Sequence, residues 1–135
     1  MIELSFSKEW IEWKAKRYKQ ELLSSGIKNV RIENEQLVLI YLYKAPFNVT
    51  VPTKVKLKIE SSDDAQSVLI HTHVPAGIVS GPVSKLAAQA IAERIPLKDV
   101  TTNGGTVIVP LPRTIAGATV LLTNEHLCVR IRSQE

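Results

Sequence analysis

Residues 30–43 read VRIENEQLVLIYLY and decide the fold of this chain. Val30 and Ile32 alternate with charged residues, residues 33–36 are polar, and an unbroken apolar run follows from Leu37 to Tyr43. Alternation with a period of two predicts a strand with one wet face, and a short polar turn predicts a hairpin. The run is apolar on both faces, so its strand needs cover on both sides. A helix, a second sheet layer, a partner chain or an apolar ligand can supply that cover.

The same hairpin pattern recurs along the rest of the chain. Further hairpins are predicted at residues 54–74, 103–111 and 120–131. The Asn103-Gly104-Gly105 segment is a strong turn signal, because glycine and asparagine tolerate the positive φ of tight hairpin turns.

Two amphipathic helices complete the pattern. The first is predicted from Ser7 to Leu23, where apolar side chains recur every three or four residues. The second begins near Ser80, has an apolar stripe from Val79 to Ile91, and ends before Pro96. Together these elements predict an α+β fold in a single domain spanning residues 1–135. It has a curved antiparallel sheet of about seven or eight strands, built from hairpins, and two helices.

Composition limits the classes of protein. Apolar residues make up 44% of the chain and charged residues 22%, which is typical of a globular domain. The single cysteine excludes an internal disulfide and favours a reducing compartment. Residues 1–6 lack the features of a secretory leader, and no apolar run reaches the ~18 residues of a membrane span. We therefore expect a cytoplasmic protein without a transmembrane segment.

Three groups of residues resemble reactive sites, and each has a simpler structural interpretation. His71 and His73 lie on one strand face, but the sequence supplies no third metal ligand beside them. Cys128 and His126 form a similar pair without an oxyanion motif. Residues 103–105 precede strand character, whereas a phosphate loop opens a helix. We therefore assign no catalytic residue, no metal site and no cofactor, and expect a protein that is not an enzyme.

Two groups of residues are compatible with binding to an anionic surface, a membrane or a partner protein. Lys54, Lys56 and Lys58 form a ladder on one strand face, which can contact an anionic surface or protect the sheet from aggregation. No aromatic residue interleaves with them, so nucleic-acid binding is the less favoured hypothesis. Trp10 and Trp13 suit either the core or an exposed anchor for a membrane or a partner.

The last third of the chain carries a family resemblance. Residues 109–120, VPLPRTIAGATV, followed by residues 124–129, NEHLCV, resemble the ending of the bacterial LmeA-like proteins. In that family a Leu-Pro segment precedes a strand, a short polar turn and a final strand. The family is related to tubular lipid-binding proteins, in which a curved sheet wraps a helix and leaves an apolar groove. The resemblance implies such a fold and a lipid or another apolar small molecule as ligand, and it transfers no functional residue.

The favoured functional hypothesis is a non-catalytic binding protein with an apolar groove between sheet and helices. The residues predicted to line that groove are Leu37, Leu39, Tyr41, Val83, Leu86, Ala90 and Ile91. The alternative is a protein–protein interaction module, as a homodimer or an adaptor, that uses the apolar strand or an open sheet edge.

Overall fold

The computed structural model describes residues 2–64, 66–75 and 80–133, which form two antiparallel sheets and three α-helices. The elements are β1 (Ile2–Ser7), α1 (Lys8–Arg17), α2 (Lys19–Ser24), β2 (Ile27–Glu33), β3 (Gln36–Ala45), β4 (Val49–Ser61), β5 (Ser67–His73), α3 (Ser80–Arg94), β6 (Thr101–Asn103), β7 (Thr106–Pro110), β8 (Ile115–Leu122) and β9 (His126–Ser133). The predicted α+β class is confirmed. Val79, which the sequence placed on the stripe of the second helix, lies outside the described residues.

The strands divide between a large and a small sheet. The large sheet has the order β2-β3-β4-β5-β7-β6, and the small sheet has the order β1-β9-β8. The sequence predicted seven or eight strands in one sheet, whereas the described residues contain nine. The additional strand is β1, whose partner β9 comes from the other end of the chain and pairs Ile2 with Ile131. A pairing between strands so far apart in the sequence leaves no local hairpin pattern from which it could be predicted.

The predicted first helix is interrupted at Tyr18, which separates α1 from α2. Tyr18 has φ −101° and ψ 26°, outside the helical range. The start of α1 is capped by Ser7, whose hydroxyl accepts a hydrogen bond from the Trp10 N–H at 3.1 Å. The two short helices lie beside β2, the edge strand of the large sheet.

Strand β3 is covered on both sides by the chain itself at its centre. Leu39 is 3% exposed and belongs to a core cluster with Val55 of β4 and Val83 of α3. Val38 points to the opposite side and is only 2% exposed, with Arg31 and Lys56 as its neighbours on β2 and β4. The cover that the sequence required is therefore intramolecular at these two residues.

The turn between β6 and β7 is fastened to β5 and α3 by polar contacts. The Thr72 hydroxyl donates to the Gly105 carbonyl oxygen, with an O···O distance of 2.6 Å. The same hydroxyl lies 2.6 Å from Ser84 Oγ. These contacts hold a loop, a strand and a helix together at one point.

The small sheet packs against the large one through β8, which contacts β4 and β5. The Ser61 hydroxyl donates to the Ala118 carbonyl oxygen across this contact. At the other end, the Glu35 N–H donates to Asn124 Oδ1 at 2.6 Å. Within the described ranges, no helix has the length and apolar character needed to cross a membrane.

Candidate binding groove

The residues predicted to line a groove mostly pack on one another. Six of the seven belong to the core cluster or pack against it: Leu37, Leu39, Tyr41, Val83, Ala90 and Ile91. Leu86 differs, because it lies on the outer side of α3 and is 38% exposed. The space between sheet and α3 at these positions is occupied by the protein's own side chains, so a ligand there would have to displace core contacts.

The lysine ladder is partly neutralised by neighbouring carboxylates. Lys54 Nζ lies 2.9 Å from Glu33 Oε1, and Lys58 Nζ lies 3.7 Å from Glu60 Oε2. Hydrogen bonds from Lys54, and then from Arg31, lower the pKa of the Glu33 carboxyl below its usual value. This arrangement reduces the net positive charge that Lys54, Lys56 and Lys58 would present to an anionic surface.

An open groove of about 710 Å³ lies between α1, α2 and β2. Its apolar lining residues are Ala15, Leu22, Leu23, Ile27 and Val30. Its polar and charged lining residues are Glu12, Lys16, Lys19, Lys28, Asn29 and Arg31. We call this space the α1–β2 groove. It combines an apolar lining with four cationic side chains and one carboxylate.

Strand β2 departs from regular strand geometry at its start, beside the α1–β2 groove. Gly26 ends α2 with φ +80°, and a Cβ added there would lie 3.3 Å from the Tyr41 ring. The register between β2 and β3 then shifts between Lys28 and Arg31, at a bulge where Asn29 has φ 55°. The shift lies on an edge strand, and bulges are over-represented at sheet edges.

Three lysines of the α1–β2 groove differ from its arginine in their ionic contacts. Lys16, Lys19 and Lys28 have no carboxylate within ion-pair distance among the residues that the structure covers. Arg31, in contrast, donates from its Nε to Glu33 Oε2 at 2.8 Å. The positive charge of the three lysines is therefore available to an anionic group bound in the groove.

His71 and Cys128 contact neighbouring side chains, whereas His73 is exposed. His71 Nε2 lies 2.7 Å from Glu60 Oε1, and His71 Nδ1 lies 3.0 Å from Thr106 Oγ1, so both ring nitrogens have protein partners. Cys128 Sγ lies 3.7 Å from Ser5 Oγ. In the described part of the chain, no group of three or more His, Cys, Asp or Glu side chains is placed to hold a metal ion.

The contact between Glu60 and His71 predicts a pH effect on stability. The hydrogen bond with His71, and then its charge and that of Lys58, lower the pKa of the Glu60 carboxyl from its usual 4.5. A lowered folded-state pKa stabilises the fold above the unfolded value, and this contribution disappears as the pH falls through the folded value. We expect Glu60→Gln to lower the urea midpoint near neutral pH and to have no effect in strong acid. An equal effect at both pH values would contradict this.

The sequence did not single out the cations of the α1–β2 groove. Lys16 and Lys19 are visible on the polar side of the predicted helix, but their position beside β2 depends on tertiary packing. Asn29 was a usable signal, because Lys28 and Asn29 together put Ile27 out of phase with the alternation that begins at Val30.

Comparisons of the chain with models of known protein families, with curated proteins and with solved structures give no match.

Proposed function

We propose that this protein is a non-catalytic binding protein that holds an amphiphile, with an apolar chain and an anionic head, in the α1–β2 groove. The observation that carries this proposal is the combination of an apolar lining with three lysines that no described carboxylate neutralises. A ligand with only one of these properties would leave part of the site without a complementary group.

The size of the groove supports a small-molecule ligand. About 710 Å³ falls within the range of roughly 300–1,000 Å³ that is usual for small-molecule sites. Apolar groups buried against the partly exposed side chains of Leu22, Leu23 and Val30 would contribute roughly 25 cal/mol per Å² before the costs of ordering. An apolar ligand of lipid type is also what the resemblance to LmeA-like proteins implies.

The charges at the groove favour an anionic head. Lys16 and Lys19 extend from the helices, and Lys28 comes from β2, so cations line both sides. Glu12 is the one carboxylate among the described lining residues. A carboxylate or phosphate head can therefore contact two or three ammonium groups, while an uncharged head would gain little from them.

The test is a titration with a fluorescent fatty acid and with the matching fatty alcohol. We expect the Lys16→Glu/Lys19→Glu variant to bind the acid at least about tenfold more weakly, which is ~1.4 kcal/mol. Binding of the alcohol should change much less. The control is Lys44→Glu/Lys98→Glu, which makes the same change of net charge at exposed sites outside the groove. The proposal fails if the wild type binds neither probe, or if the control loses as much affinity as the test variant.

A second candidate, a protein–protein interaction module, is favoured by the tip of the β3–β4 hairpin. Phe47 is 97% exposed there in a left-handed conformation with φ 66°, beside the exposed Val49 and Val51. An apolar tip of this kind suits a partner surface. Light scattering over a range of concentrations tests self-association, and Phe47→Ser should abolish any dimer that uses the tip.

A further inference from the structure

Large apolar side chains are concentrated on the surface formed by the first eighteen residues. The exposed ones are Ile2, Leu4, Trp10, Trp13 and Tyr18, and Trp13 is 51% exposed. We call these five residues, together with Phe6, the N-terminal strip. The core-packing interpretation of the tryptophans therefore does not describe their positions.

The N-terminal strip is continuous from β1 into α1. Ile2, Leu4 and Phe6 are alternate residues of β1, so their side chains share one face of the small sheet. The rings of Phe6 and Trp10 follow, with centroids 5.0 Å apart. Trp13 lies one helical turn beyond Trp10. The result is one apolar path rather than scattered exposed residues.

Two cationic side chains of α1 lie over aromatic rings of the N-terminal strip. Lys14 Nζ lies 5.7 Å from the ring centroid of Trp10, 5.9 Å from that of Trp13 and 5.2 Å from that of Tyr18. Arg17 lies 5.5 Å from the Trp13 centroid. These distances fall within the ~6 Å over which a cation is attracted to the face of an aromatic ring. The acids of the same helices, Glu9, Glu12 and Glu21, are fewer than the cations.

We propose that the N-terminal strip docks this protein on an anionic lipid bilayer. Tryptophan and aliphatic side chains enter the interfacial region of a bilayer, while Lys14 and Arg17 stay with the phosphate groups. Charge complementarity and exposed apolar surface both contribute to such binding, and the strip offers both. This docking is independent of the amphiphile proposed for the α1–β2 groove, because Lys14 and Arg17 do not line that groove.

Two other occupants fit the strip less well. A single-stranded nucleic acid would use the aromatic rings and cations, but Ile2 and Leu4 offer no stacking surface. A second copy of this chain, packed symmetrically, would bring its own Lys14 and Arg17 towards the same cluster, and like charges in an interface disfavour association.

The chain supplies its own reporter, because Trp10 and Trp13 are its only tryptophans. With vesicles of phosphatidylglycerol and phosphatidylcholine, we expect a blue shift of tryptophan emission and quenching by lipids with brominated chains. Vesicles of phosphatidylcholine alone should give a much smaller response, and added salt should weaken binding to the anionic vesicles. Equal binding to both kinds of vesicle, or emission that anionic vesicles do not change, would overturn the proposal.

Variants locate the docking surface by vesicle co-sedimentation. Lys14→Glu/Arg17→Glu and Trp13→Ser should each reduce binding at least about fivefold, while circular dichroism shows that the fold is retained. The controls are Lys44→Glu/Lys98→Glu for charge and Phe47→Ser for exposed aromatic surface, and both should bind like the wild type.

Loss of vesicle binding in the controls but not in the strip variants would show that docking uses another surface, and would overturn the proposal. The proposal would also be overturned if the protein used the strip to bind single-stranded DNA or to form a dimer but did not bind vesicles. Binding of the soluble fatty acid by Lys14→Glu/Arg17→Glu should be unchanged, so that failure of docking and failure of the groove are distinguished.

Discussion

Replacing Leu39 by alanine should lower the free energy of unfolding by about 2–5 kcal/mol, the range for removing a buried leucine side chain. Leu39 is 3% exposed and packs in the cluster that contains Val55 and Val83. Neighbouring strands restrict the backbone, so the surrounding side chains can fill only part of the cavity. Denaturant unfolding followed by far-ultraviolet circular dichroism measures this change.

The same substitution tests where the ligand-binding groove lies. If Leu39 lined a groove, as the sequence suggested, its truncation would change amphiphile binding and leave stability within ~0.5 kcal/mol, the range for substitutions outside the core. We expect the reverse, with a large loss of stability and unchanged affinity in the folded fraction. Leu121→Ala is the matched control, because Leu121 is 59% exposed on β8 and should cost little.

Replacing Gly105 by alanine should destabilise the protein by about 1–3 kcal/mol, the usual cost of overpacking. A Cβ at this position would lie 2.8 Å from Thr72 Oγ1 and closer still to Ser84 Oγ. Both groups belong to the polar contacts that fasten the β6–β7 turn, so a shift of either one also weakens a hydrogen bond. The midpoint of denaturant unfolding reports the loss.

Two further variants separate overpacking from a general intolerance of alanine for glycine. A Cβ added at Gly81 in α3 would have no described atom within 4 Å, so Gly81→Ala should be neutral or slightly stabilising. Adding Ser84→Ala to Gly105→Ala removes the hydroxyl nearest the new methyl group and should recover part of the lost stability. No recovery would show that the cost arises elsewhere.

Local signals in the sequence predicted most of the secondary structure. The β2–β3 and β4–β5 hairpins follow from alternation and polar turns. One helical stripe covers α1 and α2 without revealing the break at Tyr18, and a second locates α3. The pairing of β1 with β9 could not be predicted from local sequence patterns, because it depends on the tertiary structure that brings the two ends of the described chain together. The two-faced run at β3 correctly indicated cover on both sides, but periodicity cannot identify which element supplies it. The ion pair between Lys54 and Glu33 could not be predicted from the sequence either, because it requires the tertiary arrangement that places β2 near β4.

The pairing of β1 with β9 also has a consequence for the order of folding. Because Ile2 pairs with Ile131, the small sheet cannot close until almost the whole described chain has left the ribosome. The large sheet is built from β2 to β7 and closes through shorter loops, so it is expected to form first. During that interval Leu4 and Phe6 have no strand partner, so we expect these apolar side chains to be accessible to chaperones during synthesis.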